Sequence, residues 1–243
     1  MNACITTVRD QLASDGVLRV GLNLANPLLV SGFSEFGGWQ GVAPDLARAV
    51  AAELGVPIRF IPYDTPALLA AAADRDEWSI AMIAADPARA AAIAFTDPYS
   101  RISAHYLAPA SSSMRMVTDV DCAGLRIAAF EGSAYGLWLE RNIQHATLVR
   151  VASFDHAWAC LECGQADVAA GLAVQLHEIE ASREDFRMLR PAFMTVNQAL
   201  AIAGHRPEPL VFLQHFLQKA RASGLIPSLI RTHGIVGLEA IMD

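Results

Sequence analysis

Leu18-Arg19-Val20-Gly21-Leu22 is followed by Pro44-Asp45-Leu46-Ala47-Arg48-Ala49-Val50-Ala51-Ala52-Glu53-Leu54, and then by Ile58-Arg59-Phe60-Ile61. The first stretch is a short apolar run, which reads as a buried strand. The second carries Leu46, Ala49, Val50 and Leu54 at helical spacing and is stopped by Gly55 and Pro57. The third alternates and reads as a second strand. Strand, helix and strand at this spacing are the opening of an α/β fold.

The same rhythm continues outward. Thr65-Pro66 sets a capping hydroxyl before a proline at the first helical position, which predicts a helix on through Ala67 to Ala73. Ser79 to Ile83 is a third strand. Asp86-Pro87 repeats the device and predicts a short helix through Ala92. A second series follows: strand Leu125 to Ala129, a helix from Ala134 to Asn142 capped at Gly132-Ser133, and strand Thr147 to Val151. Then come a helix from Ser153 to Gly164 and a strand at Asp167 to Ala170. Pro109-Ala110-Ser111-Ser112-Ser113 lies between the two series and reads as a domain boundary.

After one more strand, Gln198 to Ala203, two helices close the chain at Pro207 to Ala222 and Leu225 to His233. They have apolar faces but no sheet of their own, so they are expected to return to the first series. The expected architecture is α/β and two-lobed, each lobe a mostly parallel sheet flanked by helices. Lobe one is discontinuous, 1–107 plus 197–243, and lobe two is inserted, 108–196. The crossings fall near 104–110 and 193–199, with hinge strands near Tyr106 and Val196. Ligands of open α/β sheets bind beyond the carboxyl ends of the strands, which predicts a ligand cleft between the lobes.

Composition narrows the classes of function. The chain has 243 residues, 53% hydrophobic and 18% charged, enough for a well-buried core and unlike a disordered chain. A net charge of −7 without any Lys/Arg block excludes a nucleic-acid partner. Met1 to Asp10 has no basic start, apolar run or small-residue cleavage site, so no export signal is expected there. No apolar run is long enough to span a bilayer, so a soluble chain without membrane insertion is expected.

Cysteines stand at Cys4, Cys122, Cys160 and Cys163. Cys160-Leu161-Glu162-Cys163 is a CxxC late in a predicted helix, and Cys4 and Cys122 do not complete a zinc site by spacing. The pair is read as two small core-facing thiols. The histidines, among them His105, His156 and His177, show no ligand spacing and are read as surface or packing groups. No metal and no cofactor is expected.

Four stretches carry a resemblance to a known family. They are Leu18 to Gly21, Gly41 to Gly55, Arg89-Ala90-Ala91-Ala92-Ile93-Ala94-Phe95-Thr96-Asp97-Pro98-Tyr99, and Gly124 through Ser133. Their order is similar to the family 3 extracellular solute-binding proteins, the polar amino-acid receptors of ABC importers, over nearly the whole chain. The third stretch matches that family's T-x-x-R…F-(S/T)-x-P-Y signature. The resemblance implies a type 2 periplasmic binding fold, a small-molecule ligand, ABC transporter membrane subunits as partners, a monomer and a periplasmic location. With no leader in view, a cytoplasmic location is the alternative.

Arg89, in the first turns of the helix opening at Asp86, can offer a forked contact to a carboxylate. The helix beginning at Gly132 and Ser133 presents backbone N–H groups and a positive dipole end to the same anion. The competing readings are an ion pair of Arg89 with Asp86 and a plain N-cap at Ser133. Against the family pattern, Met82, Ala84 and Asp86 stand where small hydroxyls precede the Arg. Leu172 stands where an acidic residue pairs with the ligand's ammonium, Asn26 and Thr65 where aromatics flank the side chain, and Ala43 where a first Asp stands. The carboxylate half of the pattern persists and the ammonium half does not. The expected ligand is therefore an organic acid or an atypical amino-acid derivative, with Asp86 or Glu131 as alternative cation partners.

Asn23, Tyr135, Gln175 and Trp39 complete the candidate ligand-binding set. Trp39 follows a glycine-rich stretch, Gly32 to Gly38, read either as a flexible rim or as a loop that the indole pins to lobe one. Trp138 is read as core. Binding without catalysis is the expected function. One rival is a cyclohexadienyl dehydratase-like enzyme, whose lobe-two general acid is a glutamate where Gln175 stands, and an amide has no titrating proton to give. Another is a leaderless cytoplasmic metabolite sensor.

Overall fold

The computed structural model describes residues 5–242. The order of elements begins α1 (Ile5–Leu12), β1 (Leu18–Asn23), β2 (Gly32–Ser34), β3 (Gly38–Gln40), α2 (Val42–Leu54), β4 (Ile58–Tyr63), α3 (Pro66–Ala71) and β5 (Ile80–Ala84). It continues with β6 (Ile93–Pro109), β7 (Arg126–Phe130), α4 (Ala134–Asn142), β8 (Thr147–Val151), α5 (Phe154–Glu162) and β9 (Val168–Leu172). The last elements are α6 (Ala173–Ser182), β10 (Phe186–Met188), β11 (Met194–Ala203), α7 (Pro207–Ala222), α8 (Leu225–Thr232) and β12 (Glu239–Ala240). By contacts these residues divide into two compact units: residues up to Arg101 with those from Asn197 onward, and Ile102–Val196.

In the first unit, β1 lies between two parallel neighbours. It pairs with β4 from Leu18↔Ile58 to Asn23↔Tyr63, and with β5 at Val20↔Ile80 and Gly21↔Ala81. β11 then runs antiparallel beside β5, from Gln198↔Ala84 to Ile202↔Ile80. Every residue of β5 is buried, as its unbroken apolar run requires, while β4 shows none fully buried and forms the sheet's outer strand. Leu18, Val20 and Leu22 of β1 and Leu46, Val50 and Leu54 of α2 are all buried. Gly55 ends α2 in the left-handed conformation (φ 67°) that glycine adopts without steric cost. α7 packs against α1 and α8 against α2, and His233 Nε2 lies 2.7 Å from Asp45 Oδ2, tying the end of α8 to α2.

Trp78 closes the other face of this sheet. Its indole is fully buried among Leu69, Ile83, Ile93 and Ala201, and its N–H donates to the Leu69 carbonyl at 3.0 Å. Gly21 makes room for it: a Cβ there would stand 3.2 Å from the indole and inside contact distance of Leu69.

In the second unit, β7 pairs in parallel with β8 and β9, and β6 runs antiparallel to β9 from Ala104↔Leu172 to Leu107↔Ala169. α5 covers β7 and β9 with Ala157 and Leu161, against Leu107, Ala128, Ala169 and Leu176. Ser153 caps α5 by accepting from the His156 N–H at 3.2 Å. Tyr106 and Phe193 stack at 4.4 Å between ring centres, with Trp138 tilted against Phe193 at 5.4 Å. Trp138 is half-buried there rather than fully enclosed.

The structure departs from the sequence reading in four places. The helix expected from Asp86 through Ala92 is a single 3-10 turn, Pro87–Arg89, before β6 begins at Ile93. The glycine-rich stretch is a two-stranded hairpin, β2 with β3, in which Trp39 packs edge-on against Phe33 at 5.2 Å. Cys160 is half-buried and Cys163 exposed, so the pair is not core-facing, and Cys122 is exposed too. α6 was not foreseen. Cys4 lies outside the described residues.

Replacing Trp78 by Ala removes the largest fully buried side chain of the first unit. We expect a loss of about 3–5 kcal/mol in unfolding free energy by urea titration. A loss under about 1 kcal/mol would contradict this packing.

Candidate functional site

The parallel register fixes which residues share an edge of each sheet. In the first unit, β1 ends at Asn23 beside Tyr63 of β4, and β5 ends at Ala84 one step further on. The carboxyl ends of these strands therefore bring Asn23, Asn26, Thr65, Ala84, Asp86 and Arg89 to one edge. Open α/β sheets take ligands at that edge.

Most side chains there already have local bonds. Asn23 Oδ1 accepts from the Ala25 N–H at 3.2 Å. Asn26 is buried, and its Oδ1 accepts from the Leu28 N–H at 3.2 Å. Thr65 caps α3 by accepting from the Leu68 N–H at 3.2 Å. Asp86 caps the 3-10 turn by accepting from the Ala88 N–H at 2.8 Å, the capping role weighed for it from sequence.

Arg89 closes that turn, with only 6% of its surface exposed. Its Nη1 donates to the Ala84 carbonyl at 2.6 Å, which folds the guanidinium back over the end of β5. Burial pulls its pKa down to about 10, and the charge of Asp86 works in the opposite direction. The group is thus cationic at neutral pH although little water reaches it. Met82 and Ala84 are buried in β5 and offer no hydroxyl. Trp39 belongs to the hairpin, half-buried, and its carbonyl accepts from Arg48 Nη2 at 2.6 Å.

In the second unit, β7 ends at Phe130 and β9 at Leu172, again at one edge. Gly132, at φ 70°, turns the chain into α4. The Ser133 hydroxyl accepts from the Gly136 N–H at 3.0 Å and donates to the Phe130 carbonyl at 2.7 Å. The cap predicted at Ser133 is present, and its hydroxyl is used in both senses. Tyr135 is buried behind it, and burial pushes its hydroxyl well above the usual tyrosine range. Glu131 is exposed.

α6 starts directly from β9, with Leu172 buried at its amino end and no side-chain cap. Gln175 is half-buried on its first turn. The one signal that could have found α6 is the Leu176–Ile179 pair at helical spacing, since Leu172 gives no capping cue. Among the described residues no group of three or more His, Cys, Asp or Glu could hold a metal ion. No described helix is long and apolar enough to cross a membrane.

Two α/β units joined by two crossings, with polar and cationic groups at the carboxyl ends of parallel strands, define a type 2 periplasmic binding fold. Residues 18–234 match the model of the bacterial extracellular solute-binding proteins, family 3, and the chain belongs to that family. No curated protein matches the chain. Solved structures share the fold. A P235GK mutant of ArgBP from T. maritima has 21% identity and a TM-score of 0.74, covering 93% of this chain and 98% of that one. The ancestral amino acid-binding protein AncCDT-1, a precursor of cyclohexadienyl dehydratase, gives the same identity, TM-score and coverage. AbpA, an amino acid ABC transporter substrate-binding protein from Streptococcus pneumoniae bound to L-arginine, has 22% identity and a TM-score of 0.73, covering 91% and 95%.

Gly136 is the position where the second unit's edge tolerates least. A Cβ there would collide with the Phe130 carbonyl and stand 2.9 Å from Ser133 Oγ. Gly136→Ala should therefore cost about 1–3 kcal/mol in unfolding free energy, read by urea titration. Unaltered stability would mean that the turn from Phe130 to Gly136 is looser than described.

Proposed function

We propose that this solute-binding protein takes up a small carboxylate-bearing molecule and delivers it to the membrane subunits of an ABC importer, acting as a monomer without catalysis. The observation that carries the reading is Arg89, a cation kept at the carboxyl end of a buried strand with 6% of its surface exposed. A planar guanidinium matches a carboxylate through paired N–H groups, and low dielectric strengthens that contact.

Two solved relatives are described as arginine-bound, ArgBP and AbpA. Arginine adds an ammonium and a second cation to its carboxylate, and each would need an acidic partner if buried. Leu172 stands where the family pattern has that acid, and it is itself buried. The solute we propose is therefore an acid with an uncharged body, an organic acid or an amino-acid derivative without a free ammonium. Extracellular residence follows the family's description. AncCDT-1 is described as a precursor of a dehydratase, which keeps an enzymatic rival in view. Gln175 argues against that rival, because its amide cannot serve as the general acid.

A thermal-shift screen of simple carboxylates, L-arginine and other amino acids tests this on the wild type and on Arg89→Gln. The glutamine keeps a side-chain N–H donor while removing the charge. Ligand at about a hundred times its Kd adds roughly 2.7 kcal/mol, a rise of several degrees for a chain of this size. We expect carboxylates without an ammonium to stabilise the wild type and to leave the variant unshifted. Stabilisation by arginine instead would overturn the reading of Leu172, and an equal shift in both proteins would remove Arg89 from the site.

A further inference from the structure

The CxxC stands outside the candidate site residues, and it is accessible. Cys163 is exposed at the end of α5 and Cys160 is half-buried one turn before it. Helix geometry sets residues three apart at about 5 Å between Cα atoms, with side chains on one face. A disulfide accepts Cα separations of about 4.4–6.8 Å. In the present arrangement the Cys160 thiol donates to Gln165 Oε1 at 3.6 Å, and the Cys163 thiol to the Cys160 carbonyl at 3.6 Å. Both contacts are weak, and side-chain rotation releases them. The two thiols, with His156 and Gln165, line an open surface hollow of about 470 Å³.

We propose that Cys160 and Cys163 form a thiol–disulfide exchange site that takes small-molecule disulfides. Cys163, the exposed member, meets the disulfide first. Its sulfur, as thiolate, bonds to one sulfur of the small molecule, whose S–S bond breaks. The departing thiolate takes up the proton Cys163 released. Cys160 then loses its proton and attacks the Cys163 sulfur, breaking the mixed disulfide and expelling the second half as a thiol. Two cysteine thiols are oxidised and one small disulfide becomes two thiols. Exposure of Cys163 gives the small disulfide access to its sulfur. A family described as extracellular works where protein disulfides persist.

The test treats the folded wild type with oxidised glutathione, quenches with acid, alkylates and digests with trypsin. Cleavage after Arg150 and Arg183 puts both cysteines on one peptide, 151–183, and Cys122 on another, 116–126. We expect peptide 151–183 to be lighter by two hydrogens and to take no alkylating agent. Cys160→Ser should instead retain one glutathione on Cys163. Glutathione left on the wild-type peptide, a cross-link to the peptide of Cys122, or full alkylation of both thiols would overturn the proposal.

Discussion

A guanidinium withdrawn from water must find oxygen partners or lose its charge, and the first unit is arranged around that requirement. Arg89 meets the carbonyl of Ala84 at 2.6 Å and feels the carboxylate of Asp86 across its own turn. Both partners exist because β5 ends where it does. The strand is buried throughout, flanked by β1 and β11, so its last carbonyl is spared from the solvent that would otherwise compete. Asp86 serves twice, as the cap of the 3-10 turn and as a counter-charge. The turn is short, and that shortness holds the guanidinium against the strand end instead of letting it extend along a helix.

The corresponding edge of the second unit carries different groups. At the carboxyl end of β7 the polar groups are backbone amides, ordered by Ser133 and by the close approach that Gly136 permits. At the end of β9 stands Leu172, an apolar residue with no capping capacity. That edge thus offers dipoles and apolar surface, where the edge of the first unit carries the Arg89 cation.

Much of this was legible from residues alone. Helix starts at Thr65-Pro66, Ser133 and Ser153 were readable because a capping oxygen announces itself by type and position. A cap does not announce how long the helix runs. Ala90, Ala91 and Ala92 favour helix, but the chain from Ile93 is claimed by β6, where the Thr96 hydroxyl accepts from the Leu200 N–H at 3.1 Å. That partner is distant in sequence, and no local pattern contains it. α6 escaped because only Leu176 is buried on it and no side chain caps it. Cys160 and Cys163 were read as core-facing from their residue type, but which face of α5 meets the core is decided by Ala157 and Leu161. At the site, the residue types were visible early. That Asn23, Asn26 and Thr65 spend their oxygens on their own turns was visible only in three dimensions.

The most direct measurement is a crystal structure of the protein with the carboxylate that stabilises it best. The account predicts a carboxylate oxygen within hydrogen-bonding distance of the Arg89 guanidinium. A solute bound with its carboxylate elsewhere, and with no oxygen near Arg89, would contradict it.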